Sequence, residues 1–280
     1  MNILIKLTIG IFAVCVAKVG AQEFQGEATY RSKRQVNIEV DSTKVSSSTH
    51  QQMMELLKKQ FQKTYTLTFN KNESVYKEEE TLSTPQLGGN LGVMVMANSG
   101  SDILYKNTKA NRYTNQNDVF GKIFLIKDSI QKRDWKLESE TKNIGEYTCY
   151  KATITREVEV MSSGISINGD KDLSKDEPTT RTQVITAWYT TQIPVNNGPE
   201  NYQGLPGLIL EVNDGSQTLI CSKIVLNPEK RIEIKEPTKG KEVDQEQFDV
   251  IMAKKRKEMM ERYSPRNNRD GETFQIRIGG

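Results

Sequence analysis

Most of this chain alternates apolar and polar residues in short runs, a pattern that predicts half-buried β-strands. Clusters of Asn, Asp, Lys and Gly separate the runs at intervals typical of an antiparallel meander. The predicted strands are 23–36, 37–41, 64–69, 74–78, 103–105, 112–114, 119–126, 135–138, 147–154, 181–189, 208–212, 218–226 and 271–278. The pattern therefore predicts a mainly β fold, an antiparallel curved sheet or half-barrel, with a two-sheet sandwich as the alternative.

Two segments, 46–62 and 241–263, instead place apolar residues about four positions apart, which predicts amphipathic helices. The residues of the two stripes are Met53, Leu57, Phe61, Phe248, Met252, Met259 and Tyr263. We expect these two helices to cover one face of the sheet or to plug its open side. Segments 82–100 and 162–180 are rich in turn-forming and polar residues and predict loops.

One six-residue segment carries a specific turn prediction. Pro206 has the φ angle that the second position of a β-turn needs, and Gly207 can supply a positive φ at the third. A type II turn is therefore predicted over 205–208, followed by a strand and a hairpin turn at 213–216. The segment is Gly204-Leu205-Pro206-Gly207-Leu208-Ile209.

Residues 1–21 have the parts of a cleavable signal peptide in order. Lys6 supplies the positive charge, 7–16 is an apolar run of about ten residues, and Val19 and Ala21 precede the predicted cut before Gln22. The run is shorter than the ~20 residues that span a bilayer. We expect an exported protein, periplasmic or outer-membrane associated, with no transmembrane segment after cleavage. It has one β-rich domain over 22–264 and a flexible segment with a terminal strand over 265–280.

The charge balance argues against nucleic acid as a partner. The chain has 39 basic and 36 acidic residues, for a net charge of +3. Removing 1–21 takes away Lys6 and Lys18 and no acid, which leaves about +1. A protein so close to neutral has no global field that attracts nucleic acid or anionic lipid.

Two cysteines, Cys149 and Cys221, remain after the predicted cleavage. An oxidising compartment favours a disulfide between them. Closing the interval between them would stabilise the fold by roughly 4 kcal/mol in the chain-entropy model. The alternative is two separate buried thiols that behave as small apolar side chains.

Candidate chemistry is sparse, and we predict no catalytic residue, no cofactor and no metal. His50 is the single histidine and has no local signature of a triad or a zinc site. Segment 168–177 has oxygen ligands at alternate positions but lacks the glycine and glutamate that an EF-hand requires. The enzyme alternative is a hydrolase that uses carboxylates such as Asp128, Asp134 or Asp214.

Several segments together resemble one known family. Residues 204–209 spell the motif Gly-Leu-Pro-Gly-Leu-Ile, 144–152 read Ile-Gly-Glu-Tyr-Thr-Cys-Tyr-Lys-Ala, and 186–190 read Thr-Ala-Trp-Tyr-Thr. In these segments the chain resembles the GLPGLI family of exported Bacteroidota-type envelope proteins. The resemblance implies a strand-rich protein that works beside outer-membrane machinery, and it implies no catalytic residues. We interpret 204–209 as architectural, a tight turn that feeds a buried strand.

These observations favour a non-catalytic exported envelope protein that binds a protein partner at the outer membrane. The first alternative is a periplasmic carrier of an apolar ligand, a lipid or a peptide, and the second is the hydrolase. An apolar cavity of several hundred Å³ between sheet and helices would indicate the carrier. A filled core would favour the partner, and two converging carboxylates with a raised pKa would favour the enzyme.

Overall fold

The computed structural model describes residues 24–34, 36–40, 62–79, 102–119, 121–160, 179–230, 232–263 and 274–278. In these ranges the chain forms fourteen strands and one helix, α1, at Gln245–Tyr263. The strands are β1 Gln25–Arg34, β2 Val36–Val40, β3 Thr64–Asn70, β4 Glu73–Glu78, β5 Ile103–Asn107, β6 Arg112–Val119, β7 Lys122–Ser129, β8 Lys136–Ile144, β9 Tyr147–Val160, β10 Thr179–Thr190, β11 Leu208–Asn213, β12 Gln217–Leu226, β13 Lys241–Val243 and β14 Phe274–Ile278.

Twelve strands form a single open sheet in the order β13-β7-β6-β5-β4-β3-β1-β12-β11-β10-β9-β8. Every neighbouring pair is antiparallel except β13 and β7, which run parallel. Strands β14 and β2 form a separate antiparallel pair. The mainly β prediction is confirmed, and the two-sheet sandwich is wrong because the large sheet contains twelve of the fourteen described strands.

Buried and more exposed side chains alternate along the strands, and the buried ones form the core. In β1 the side chains of Ala28 and Tyr30 are fully buried, and in β3 so are those of Leu67 and Phe69. They belong to the largest of three apolar clusters, to which residues on β9, β11 and β12 also contribute. A second cluster lies on β9 to β11, and a third lies where α1 meets β6 and β7.

The sheet curls strongly. Lys106 on β5 donates from Nζ to the carbonyl oxygen of Gly198 at 3.0 Å, and the neighbouring Asn197 accepts a backbone bond from Ile209 on β11. Five strand-to-strand steps separate β5 from β11, roughly 24 Å in a flat sheet. A lysine side chain cannot bridge that distance, so the sheet curves until β5 approaches the region of β11.

One of the two predicted helices is present in part. Helix α1 begins four residues later than predicted, because residues Lys241–Val243 pair with β7 as strand β13. Asp244 then caps the helix by accepting the backbone N–H of Gln247 at 2.7 Å. Phe248 packs against Phe124, with ring centroids 5.6 Å apart.

A cover of two helices over the sheet is not supported, since α1 is the one helix in the described part of the chain. The predicted helix at 46–62 lies outside the described residues except for residue 62, and His50 lies outside them too. The same holds for the signal peptide, the loop 82–100, most of 162–180 and the segment 265–273.

Two strand boundaries differ from prediction for local reasons. The predicted strand 119–126 is divided between β6 and β7, with Gly121 at a φ of +73°, a left-handed conformation that breaks the run. The predicted strand 135–138 begins at Lys136 and continues to Ile144. The predicted terminal strand is confirmed over Phe274–Ile278.

The predicted type II turn at 205–208 is wrong, although Leu205, Leu208 and Ile209 are buried as expected. Gly204, not Gly207, has the left-handed backbone, with a φ of +101°. Gly207 is required for a different reason: a Cβ atom there would lie 2.0 Å from the carbonyl oxygen of Thr190. The motif therefore brings two backbone segments into close contact at the start of β11.

Replacing Gly207 with alanine tests this contact. We expect Gly207→Ala to lower the free energy of unfolding by about 3 kcal/mol, because a methyl group is forced against a backbone carbonyl that cannot rotate away. Chemical denaturation followed by circular dichroism measures the change. The matched control is Thr191→Ala at the exposed neighbour of Thr190, for which we expect a change within about 0.5 kcal/mol. Equal stability of the two variants would contradict the packing explanation.

Candidate functional site

The β10–β11 loop, residues 191–207, lies against the sheet as a largely buried segment. Its backbone runs beside the start of β11, where Leu208 N donates to Ile193 O at 2.9 Å and Ile209 N donates to Asn197 O at 3.0 Å. The loop buries apolar and polar side chains alike: Ile193, Val195, Asn197, Tyr202, Gln203 and Leu205. Buried loops require partners for their polar groups.

The β7–β8 connection, residues 130–135, supplies some of these partners. It carries the chain from β7, next to one end of the sheet, to β8 at the other end. Arg133 donates from Nε to the carbonyl oxygen of Asn201 at 2.9 Å, and Trp135 donates from Nε1 to that of Gln203 at 2.8 Å. In return, Gln203 Nε2 donates to the carbonyl oxygen of Gln131 at 3.1 Å.

Aromatic stacking reinforces this junction. The guanidinium carbon of Arg133 lies 4.8 Å from the ring centroid of Tyr202, within cation–π range. Trp135 contacts the same ring, with centroids 6.5 Å apart. The connection and the loop are therefore fastened together by three hydrogen bonds and two ring contacts.

Lys106 holds the loop from the side of the sheet. Its side chain is 1% exposed, and Nζ donates to the carbonyl oxygens of Gly198 at 3.0 Å and Glu200 at 2.7 Å. Burial, with a smaller contribution from the charge of Arg133 and against the opposing effect of Glu200, lowers the pKa of Lys106 to about 7. Glu200 adopts a φ of +47°, and burial raises the pKa of its carboxyl group.

A cavity of about 190 Å³ lies where β5, β6, β7, the connection, the loop and the start of α1 meet. Its lining residues are Lys106, Tyr113, Asp128, Ser129, Ile130, Gln131, Arg133, Asn201, Gln203 and Gln245. One of the ten, Ile130, is apolar. The other nine have polar side chains, whose carbon atoms form much of the wall, so the cavity is suited to a small ligand with polar and apolar parts.

The cavity wall has several internal hydrogen bonds. Asp128 accepts the backbone N–H groups of Ser129 at 2.6 Å and Gln245 at 3.3 Å, and these bonds hold the pKa of its carboxyl group below the usual value. Tyr113 donates from its hydroxyl to Gln245 Oε1 at 2.8 Å. Gln203 is 7% exposed, and its Oε1 has no hydrogen-bond partner within the described residues.

The three carboxylates of the hydrolase alternative are placed apart. Asp128 lines the cavity, while Asp134 on the connection is exposed and lies 3.8 Å from Lys132 Nζ. Asp214 lies in the β11–β12 turn, where its Oδ1 accepts the backbone N–H groups of Ser216 and Gln217. A different carboxylate has a raised pKa: burial raises that of Asp102, next to β5, to about 6.

Cys149 and Cys221 are both buried and are free thiols in this structure. Both belong to the largest apolar cluster. Their Sγ atoms contact the carbonyl oxygens of Tyr147 at 3.6 Å and Lys223 at 3.4 Å. Burial raises the pKa of Cys149 to about 11 and that of Cys221 to about 12, so both thiols stay protonated near neutral pH. The predicted disulfide stays a prediction.

Sequence reasoning missed Lys106, Arg133 and Gln203. One signal was present for Lys106, since alternation along β5 places it on the same face as Leu104, which is buried. Arg133 and Gln203 lie in segments with no periodicity, so the sequence offered no signal for them. Among the described residues, no group of three or more His, Cys, Asp or Glu side chains is placed to hold a metal ion.

Comparison with known proteins adds a partial match. Residues 135–211 match the sequence model of a family described as "Protein of unknown function (Porph_ging)". This segment includes Trp135, the whole β10–β11 loop and most of β11. No curated protein matches the chain. Nor does any helix in the described part of the chain have the length and apolar character needed to cross a membrane.

Two solved structures of PNGF-II, in the C2 and P21 space groups, are similar to this chain at 16% sequence identity. The TM-scores are 0.48 and 0.47, and the similarity covers 83% of this chain. It covers 33% and 34% of those chains, so this chain spans about a third of their length.

The buried lysine predicts a specific pH dependence of stability. In the folded protein the pKa of Lys106 is about 7, well below its ordinary value of about 10.4, so the unfolded chain binds more protons above pH 7. Stability therefore rises with pH through this range. We expect wild type to gain roughly 1 kcal/mol relative to Lys106→Met between pH 6 and 8. Denaturant unfolding of both proteins at each pH isolates this difference, and parallel pH profiles would contradict it.

The thiols allow a direct test of the disulfide. If Cys149 and Cys221 pair after export, protein denatured without reductant takes up no alkylating reagent at either position. Intact-mass spectrometry with and without reduction measures this. Two alkylated cysteines in the unreduced sample would show that the thiols stay free, as the geometry in this structure has them.

Proposed function

We propose that this chain is an exported envelope protein of the GLPGLI kind that acts by binding a protein partner at the outer membrane, without catalysing a reaction. The predicted signal peptide at 1–21 and the motif at 204–209 support the export and family parts of this proposal. The match of 135–211 to a family of unknown function is compatible with it and gives no activity.

The packing of the apolar side chains is the observation that supports a protein partner over an apolar ligand. In the described residues the three apolar clusters are filled by side chains from the strands, the loop and α1. The cavity of about 190 Å³ is lined mainly by residues with polar side chains. A carrier of lipid or apolar peptide needs a larger apolar cavity. The packing of these described apolar side chains against one another favours a partner that binds at the surface.

The open sheet offers one place for such a partner. Strand β8 ends the sheet, and no described strand pairs with it on the side away from β9. A bulge interrupts its pairing between Leu137 and Thr141, where three residues of β8 face a single residue of β9. Bulges and charges protect sheet edges from unwanted pairing. The regular part available to a partner is therefore 141–144.

Backbone geometry shows which groups point outward in this part. Gly145 has a φ of +59° and begins a two-residue turn, so the flanking Ile144 and Tyr147 form a hydrogen-bonded pair. The next pair, Asn143 and Thr148, is then not mutually bonded. Consistent with this, Thr148 N donates to Gln192 Oε1 at 2.9 Å. The backbone N–H of Asn143 therefore points away from β9, where an added strand can bond to it.

A proline at this position tests the proposal. Asn143→Pro removes the outward N–H but no bond of the sheet, and edge strands tolerate proline. We expect tagged mature protein to capture an outer-membrane protein from its native envelope, and Asn143→Pro to lose most of that capture. Mass spectrometry of captured proteins and extracted lipids is the measurement. The bait itself should begin at Gln22 if the signal peptide is cleaved as predicted.

The matched control is Asn143→Ala, which keeps the backbone N–H and should capture the same protein. Thermal unfolding of all three proteins checks that the variants are folded. Capture of a stoichiometric lipid with no protein would support the carrier instead. A self-pairing through β8 would appear as a dimer in light scattering, and it would overturn the proposal of a different protein as partner.

A further inference from the structure

We propose that the cavity between the connection, the loop and β5 is a binding site for a small oxyanion, a molecule that carries a carboxylate or phosphate group. Its lining residues leave hydrogen-bond donors unused, carry positive charge and enclose a small space. This proposal concerns a second site. It goes beyond partner binding at the β8 edge and does not depend on it.

Lys106 contributes a buried donor. An ammonium group has three N–H bonds, and Nζ uses two of them on the carbonyl oxygens of Gly198 and Glu200. The third has no partner within the described residues. An unpaired donor on a side chain that is 1% exposed is costly, and an anion in the adjoining cavity would remove that cost.

Arg133 contributes further donors. Its guanidinium group has five N–H bonds, and the one on Nε bonds to Asn201 O at 2.9 Å. The two terminal NH₂ groups make no hydrogen bond within the described residues, and the guanidinium carbon lies 4.8 Å from the ring centroid of Tyr202. Planar guanidinium groups bind carboxylate and phosphate through two parallel hydrogen bonds.

The charges in and around the cavity favour an anion. Two lining side chains, Lys106 and Arg133, are cationic, and their mutual repulsion helps to lower the pKa of Lys106. Asp128 is the one carboxylate among the lining residues, and it already accepts three hydrogen bonds from Ser129 and Gln245. Glu200 lies outside the lining, its carboxylate accepts from Gln217, and its burial favours the neutral form.

The size of the space sets the class of ligand. A cavity of about 190 Å³ is several times the roughly 30 Å³ that one water occupies, yet it is smaller than the 300–1,000 Å³ typical of drug-sized ligands. It accommodates an oxyanion with a small polar body. Gln203 lies in the same wall, and its buried Oε1 is an acceptor with no hydrogen-bond partner within the described residues.

The test uses the mature protein and two probes, inorganic phosphate and acetate, with acetamide as the neutral isostere of acetate. At pH 6.5, where Lys106 is largely protonated, and at constant ionic strength set with NaCl, isothermal titration calorimetry measures binding. We expect saturable binding of at least one oxyanion and none of acetamide. Arg133→Gln should weaken that binding about tenfold or more, because it removes a charge-assisted pair of hydrogen bonds.

The matched control is Lys132→Gln, which removes a positive charge from the neighbouring residue. Lys132 is 91% exposed at its side chain and does not line the cavity, so this variant should bind like wild type. Binding of phosphate alone would assign a phosphate ester, and binding of acetate alone a carboxylate. The proposal is overturned if neither probe binds more strongly than chloride, or if Lys132→Gln weakens binding as much as Arg133→Gln.

Discussion

Two hydrogen bonds from the ammonium group of Lys106 to the backbone of residues 198 and 200 connect parts of the sheet that lie five strands apart. The curl of the sheet brings these groups together, and the loop fills the space that the curl encloses. The loop lacks the ladder partners that a strand provides, so its carbonyl groups need donors from elsewhere. A long side chain with several donors meets that need, where an apolar residue would leave two buried carbonyls unpaired.

This solution has an energetic consequence. Burial of an ammonium group costs free energy, and the low pKa of Lys106 expresses that cost. The bonds to the carbonyls recover part of it, while Arg133 adds repulsion. The buried ammonium group of Lys106 therefore lowers the stability of the folded protein. Locally destabilising features of this kind are common at functional sites. The left-handed backbone of Glu200 lies beside the same contact.

The strands were predictable where one face is buried and the other is not, as in β3 and β4, because burial imposes alternation on the sequence. The end of β6 was not, because two short apolar stretches separated by Gly121 and Lys122 were predicted as one strand. Gly207 was recognised as necessary, but for the wrong reason: positive φ is a local property, whereas the approach of Thr190 O depends on tertiary packing. The same limit applies to the cavity, whose residues come from six elements that only the curl of the sheet brings together.

The two ends of the open sheet are protected in different ways, and this difference favours β8 as the strand with which a partner pairs. At one end, β13 is three residues long and leads directly into α1, whose Phe248 packs on Phe124. At the other, β8 has a bulge and charged side chains that already pair with β9 and β11, such as Lys142 with Glu211. Both are devices against aggregation. The two proposed binding sites use different elements, since the regular segment at 141–144 belongs to β8, whereas the cavity lies where β5, β6 and β7 meet the connection and the loop.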